Sequence, residues 1–83
     1  MLNEEVFITE MLYKKFGRIL LSKKECSAIV GRSISSLDRD RKNCSGISYI
    51  QEDKANVYYA ITDIALYVVN NKVQTTSLSI YSN

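Results

Sequence analysis

Residues 22–42 read Ser22-Lys23-Lys24-Glu25-Cys26-Ser27-Ala28-Ile29-Val30-Gly31-Arg32-Ser33-Ile34-Ser35-Ser36-Leu37-Asp38-Arg39-Asp40-Arg41-Lys42, and the fold turns on them. Ser22-Lys23-Lys24-Glu25 is a capping box. The serine hydroxyl accepts from the backbone N–H of Glu25, and the glutamate carboxylate reaches back to the serine N–H. Cys26, Ile29 and Val30 follow at i, i+3 and i+4, which places them on one buried face. Gly31 ends this helix after about two turns. Ser33 then caps a second short helix running to about Lys42, with Ile34 and Leu37 turned inward. Two short helices separated by a glycine turn predict a helix-turn-helix.

Beyond Lys42 the pattern changes. Asn43-Cys44-Ser45-Gly46 is a polar break, and Ile47 to Gln51 and Val57 to Ile61 are rich in β-branched and aromatic residues. They flank Glu52-Asp53-Lys54-Ala55-Asn56 and predict a β-hairpin with a five-residue loop. Thr62 or Asp63 is then placed to cap a last helix with Ile64, Ala65 and Val68 inward, ended by Asn70 and Asn71. Upstream, Asn3 to Phe16 reads as a helix: Asn3 caps it, Glu4 and Glu5 suit its positive end, and Lys14 and Lys15 suit its negative end. Its apolar positions are denser than one inward stripe requires. Gly17 stops it, and Arg18 to Leu21 is a short extended connection. The Ser- and Thr-rich tail, with Leu78 and Ile80 alternating with serines, reads as frayed or as a strand in need of a partner.

The expected architecture is therefore mainly α with a small β-hairpin: a winged helix-turn-helix over residues 18–72, an extra N-terminal helix within 1–17, and a C-terminal tail at 73–83. Composition agrees with a small globular domain. The chain has 83 residues, 46% of them apolar and 24% charged, which is too apolar for a disordered chain. The absence of proline excludes proline-rich linkers, and three glycines exclude a collagen-like chain. Histidine is absent, which removes the commonest general base and the commonest metal ligand together. No Gly-rich phosphate loop, paired-carboxylate site or nucleophile–base pair stands in for it. The chain is expected to be no enzyme and to carry no cofactor or metal.

The first residues carry Glu4 and Glu5 where a signal peptide would be basic, and no apolar run approaches a membrane span. The expected compartment is the reducing cytoplasm, with Cys26 and Cys44 as free thiols, Cys26 buried and Cys44 partly exposed.

Net charge is +2, but its distribution is uneven. Residues 14–42 hold nine cations against Glu25, Asp38 and Asp40, a local charge of +6, while the rest of the chain carries −4. Such a basic segment fits an electrostatic footprint for nucleic acid, or a solvated helix face.

On these residues the chain resembles the excisionase and AlpA-type helix-turn-helix proteins, relatives of MerR-type DNA-binding domains. The family pattern runs Glu, two small residues, an aliphatic, Gly, any residue, Ser, then Ser or Thr, an aliphatic and Arg. It falls here on Glu25, Cys26 and Ser27, Val30, Gly31, Ser33, Ser36, Leu37 and Arg39. Tyr58 to Val68 resembles the family's final strand running into an Asp-capped helix, and the likeness covers about residues 18–71. Arg32 departs from the usual aliphatic residue, and Glu52 and Asp53 make the wing acidic where such wings are commonly basic. The resemblance implies sequence-specific double-stranded DNA binding by a small mobile-element-type protein, either an excisionase-like architectural factor or an AlpA-like transcriptional regulator. It also implies a recombinase or RNA polymerase as a further partner.

A helix fits the major groove, and its N-terminal residues reach base edges. With Ile34 and Leu37 inward, Ser35, Ser36 and Arg39 are the candidates for base contacts. Lys23, Lys24, Arg32, Ser33, Arg41 and Lys42 are candidates for phosphate, with Ser33 also a helix cap, and the wing offers Lys54 and Asn56. Asp38 and Asp40 are expected to point away from phosphate or to pair with arginines three or four positions along. Tyr49, Tyr58, Tyr59 and Tyr67 fit packing of the hairpin on helices better than stacking on bases. One such domain covers about half of a typical specific site, so self-association is expected through the first helix or the tail. The competing reading is a protein–protein interaction module without DNA binding, favoured by the acidic wing and low net charge.

Overall fold

The computed structural model describes residues 3–71. The elements follow in the order α1 (Glu4–Phe16), β1 (Leu20–Ser22), α2 (Lys23–Val30), α3 (Ile34–Lys42), β2 (Ile50–Gln51), β3 (Val57–Ala60) and α4 (Ile61–Asn70). Four helices and one small antiparallel sheet in this order make a mainly helical, winged-helix-like fold. The tail, with Leu78 and Ile80, lies outside the described residues.

Local chemistry sets the helix boundaries. Asn3 Oδ1 accepts from the Val6 N–H at 3.0 Å and starts α1. Gly17 ends it in the left-handed region, its N–H donating to the Tyr13 carbonyl at 2.8 Å. The capping box of α2 is complete: Ser22 Oγ accepts from Glu25 N–H at 3.1 Å, and Glu25 Oε1 accepts from Ser22 N–H at 2.9 Å. Ser33 Oγ caps α3 by accepting from Ser36 N–H at 3.1 Å.

The sheet order is β1-β3-β2. The hairpin of β2 and β3 pairs Ile50 with Tyr58 and Gln51 with Val57, enclosing the expected loop of residues 52–56. The connection after Gly17 proves to be more than a linker, because its end pairs with β3, setting Leu20 opposite Ala60 and Ser22 opposite Tyr58. That pairing also explains a shifted helix start. Thr62 and Asp63 do not cap α4; it begins at Ile61 after Ala60, with no side-chain cap. The Ile61 N–H donates instead to the Ile19 carbonyl at 2.8 Å, so the strand pairing satisfies what a cap would have satisfied.

One core joins the layers. Leu12, Leu21, Cys26, Leu37, Ile47, Val57, Tyr59, Ile61 and Ile64 form a single buried cluster, with Ile8, Phe16, Ile29, Val30 and Tyr67 packed around it. α1 lies on α4, and α2 contacts α3, β1 and β3. Burial pushes the Cys26 thiol up to about 11. Leu37 is the only residue of α3 that is fully buried; Ile34, expected inward, is 39% exposed. A helix of about two and a half turns resting on the core through one residue leaves its first turn outside.

Two glycines separate backbone strain from crowding. Gly31 has φ +72° and open space where a Cβ would stand. Gly46 has φ +81°, and a Cβ there would lie 2.7 Å from Asp40 Oδ2 and 2.9 Å from Asp40 Cβ. Gly31→Ala is expected to cost about 1–2 kcal/mol, the left-handed penalty alone. Gly46→Ala is expected to cost about 1–3 kcal/mol more, because Asp40 must also shift. Urea midpoints at unchanged m-value measure both; equal losses would mean that Asp40 moves without cost.

Candidate nucleic-acid interface

The helical period sorts the side chains of α3. With Leu37 buried, Ser35, Arg39 and Lys42 are exposed and Ser36 is half-buried. Arg39 Nη2 donates to Ser36 Oγ at 3.1 Å, which draws the two base-contact candidates together on the outer side. Ser35, Asp38, Arg39, Arg41 and Lys42 line an open depression of about 620 Å³ whose other wall is Tyr49 and Gln51. A second depression of about 310 Å³ brings Lys23 and Lys24 from the start of α2 next to Ile34, Asn56 and Tyr58. The outer side of α3 is thus uncovered among the described residues, with cations at both ends of it.

Every carboxylate in this basic region has a cationic partner. The Arg18 guanidinium grips Glu25 through both of its end nitrogens, Nη1 at 2.9 Å from Oε1. Asp38 pairs with Arg41 three positions on, as expected, and lies 3.6 Å from Lys23 Nζ. Asp40 pairs with Arg32, eight positions back across the helix-turn-helix. The carboxylates therefore hold other parts of the protein in place. Lys24, Arg39 and Lys42 have no carboxylate partner among the described residues.

Two of the phosphate candidates sit in internal networks. Arg32 is half-buried, and besides Asp40 its Nη1 donates to Tyr67 Oη at 3.3 Å, tying the turn to α4. Arg41 has a side chain only 15% exposed. Its Nη1 donates to Tyr59 Oη at 2.8 Å, and its guanidinium lies over the Tyr49 ring, 5.7 Å from the centroid. Lys23 is shared with Asp38, while Ser33 is exposed and occupied as the α3 cap.

The wing folds around its own acid. Asp53 Oδ1 accepts from the N–H groups of Ala55 and Asn56 at 2.8 and 3.0 Å, and Oδ2 accepts from Asn56 Nδ2 at 2.9 Å. Those backbone donors hold its carboxyl below the ordinary range. Asn56 is thereby engaged, and Lys54 stays exposed at the tip. Of the tyrosines, Tyr59 is in the core, Tyr58 and Tyr67 are half-buried, and Tyr49 is open to the larger depression. Tyr49 and Gln51 belong to the groove wall, which the sequence reading did not assign. The only signal for them was that a hairpin's first strand follows α3 directly. Among the described residues no group of histidine, cysteine and acidic side chains could hold a metal ion, and no helix is long and apolar enough to cross a membrane.

The Arg18–Glu25–Ser22 knot carries a pH signature. Arg18, and then the Ser22 N–H, lower the Glu25 carboxyl from 4.5 to about 2. A carboxyl with a depressed folded-state pKa adds stability that is complete above 4.5 and is lost as the pH falls towards 2. Asp38 and Asp53 are lowered too and act in the same direction. Thermal midpoints across this window are expected to fall less in Glu25→Gln than in the parent, with the two converging at the acid end. Parallel curves would show that the pair contributes nothing to stability.

No protein-family model, no curated protein and no solved structure matches this chain.

Proposed function

We propose that the chain binds double-stranded DNA sequence-specifically, with α3 lying in the major groove. The observation that carries this reading is the division of charge around α3. Asp38 and Asp40 are each paired with an arginine, while Arg39 and Lys42, which share the groove with Asp38 and Ser35, have no carboxylate partner among the described residues. Ser35, Ser36 and Arg39 face base edges, Arg39 with the two-pronged geometry that suits guanine O6 and N7. Lys42, Lys24 and Lys23 meet phosphates on either side, and the N–H groups at the start of α3 beside Ser33 add a further anion contact. Arg32 and Arg41 serve by bracing α3 on α4 and β3. The acidic wing contributes Lys54 alone.

The protein does no chemistry in this role. Following the resemblance of residues 25–39 and 58–68, it acts as an excisionase-like architectural factor or an AlpA-like regulator in the cytoplasm. It works by shaping DNA or by touching a recombinase or polymerase. A second reading, a protein–protein module, is favoured by one observation: the large apolar side chains Phe7 and Met11 stand exposed on α1.

A salt titration separates the two. DNA binding by three to five phosphate contacts gives a log–log slope of roughly −3 to −5. Arg39→Ala is expected to cost about 1–3 kcal/mol on the preferred site and to relax choice at one base pair, whereas Lys42→Ala weakens all sequences alike. Fluorescence anisotropy on labelled duplexes reads both. Binding that is absent, or that shows no dependence on salt, rejects the DNA reading.

A further inference from the structure

We propose that Ile34 recognises thymine by packing against its 5-methyl group in the major groove; this rests on the DNA-binding reading and adds the class of base that the first turn of α3 selects. Ile34 is the first residue of α3, directly after the Ser33 cap, where a recognition helix reaches base edges. The core does not account for it. Of the large aliphatic residues of α2 and α3, Leu37 is buried and Ile29 and Val30 pack against the core, while Ile34 stands outside that cluster, 39% exposed. A β-branched residue brings no helix propensity to an exposed first turn either. Its surroundings are specific. Ile34 shares the depression of about 310 Å³ with Lys23, Lys24, Asn56 and Tyr58. No acidic side chain lines this depression, whereas Asp38 lines the larger one. Lys23 is shared with Asp38, and Lys24 has no carboxylate partner among the described residues.

Chemistry narrows what an exposed aliphatic group can meet in a major groove. Guanine, adenine and cytosine present hydrogen-bonding groups there, and thymine alone adds a methyl group, beside its O4 acceptor. Ile34 laid over one of the other three bases would strip water from donors or acceptors and return no bond, which costs free energy. Laid over thymine, it takes apolar surface of both partners out of water. Ser35, the next residue, is exposed, and its hydroxyl can donate to O4 of the same base. Lys23 and Lys24 on the same depression supply the phosphate contacts that hold this turn in the groove. Arg39 lies five residues on, about 7.5 Å along the helix axis, so it meets a different base pair.

Uracil substitution tests this, because uracil lacks only the methyl group. The full chain first selects a duplex from a randomised pool, and each thymine of that duplex is then replaced by uracil and its affinity read by fluorescence anisotropy. The parent is expected to lose about fourfold at one thymine, the effect of one buried methyl-sized group. Ile34→Ser is expected to bind the thymine and uracil duplexes equally. Arg39→Ala, weakened at another base pair, is expected to keep the fourfold ratio. A merely structural role for Ile34 would lower both affinities and leave their ratio intact. Far-UV circular dichroism checks that each variant is folded, and Ile34→Ala, expected to cut the ratio below about twofold, replaces the serine variant should that one misfold. A selected duplex in which no uracil substitution matters, or a fourfold ratio that survives in the Ile34 variant, overturns this inference and leaves DNA binding standing. A chain that selects no duplex overturns both.

Discussion

Ser22 is where the architecture is tied together. It ends β1 opposite Tyr58 and at the same time caps α2, so one residue fixes the helix-turn-helix to the sheet. Glu25 returns the bond to the Ser22 backbone and is itself clasped by Arg18 from the preceding connection. Leu21, fully buried one position earlier, anchors the same junction in the core. An exposed ion pair by itself adds little stability. Here it fastens a two-pronged guanidinium to a carboxylate that already closes a helix end, so its value is orientation. The pitch of α3 relative to the sheet follows from this junction and from the burial of Leu37.

Acidic side chains in a helix proposed to face DNA look like a contradiction, and their geometry removes it. Asp38 and Asp40 turn towards arginines and use their charge to hold those arginines against Tyr59 and Tyr67. Asp53 likewise spends its lone pairs on the wing's own N–H groups. A carboxylate occupied in this way projects a weaker field outwards than a free one would. The local excess of positive charge therefore survives on the side that carries Arg39 and Lys42.

Features governed by neighbours along the chain were legible in the sequence. The caps at Asn3, Ser22 and Ser33, the glycine stops and the five-residue hairpin loop all depend on contacts within a few residues. Helical periodicity likewise placed Ser35, Arg39 and Lys42 on one outer side. What escaped depends on distant partners. β1 exists because β3 lies beside it, and α4 starts at Ile61 because the Ile19 carbonyl replaces a side-chain cap. Ile34 is apolar at an inward-looking spacing, yet the short helix reaches the core through Leu37 alone. The arginines were readable as cations but not as braces: the partner of Arg32, in the turn, is eight residues away on α3, and Arg41 meets a tyrosine eighteen residues on.

The two thiols differ in a way that has a practical use. Cys26 has no exposed surface and keeps its proton well above neutral pH, whereas Cys44 is exposed just past the end of α3. A maleimide dye at neutral pH therefore attaches at a single position, without any engineered cysteine, since the thiolate is the reacting form. A fluorophore is delivered in this way to a depression that shares Tyr49 with the groove beside α3, where the native chain becomes its own reporter.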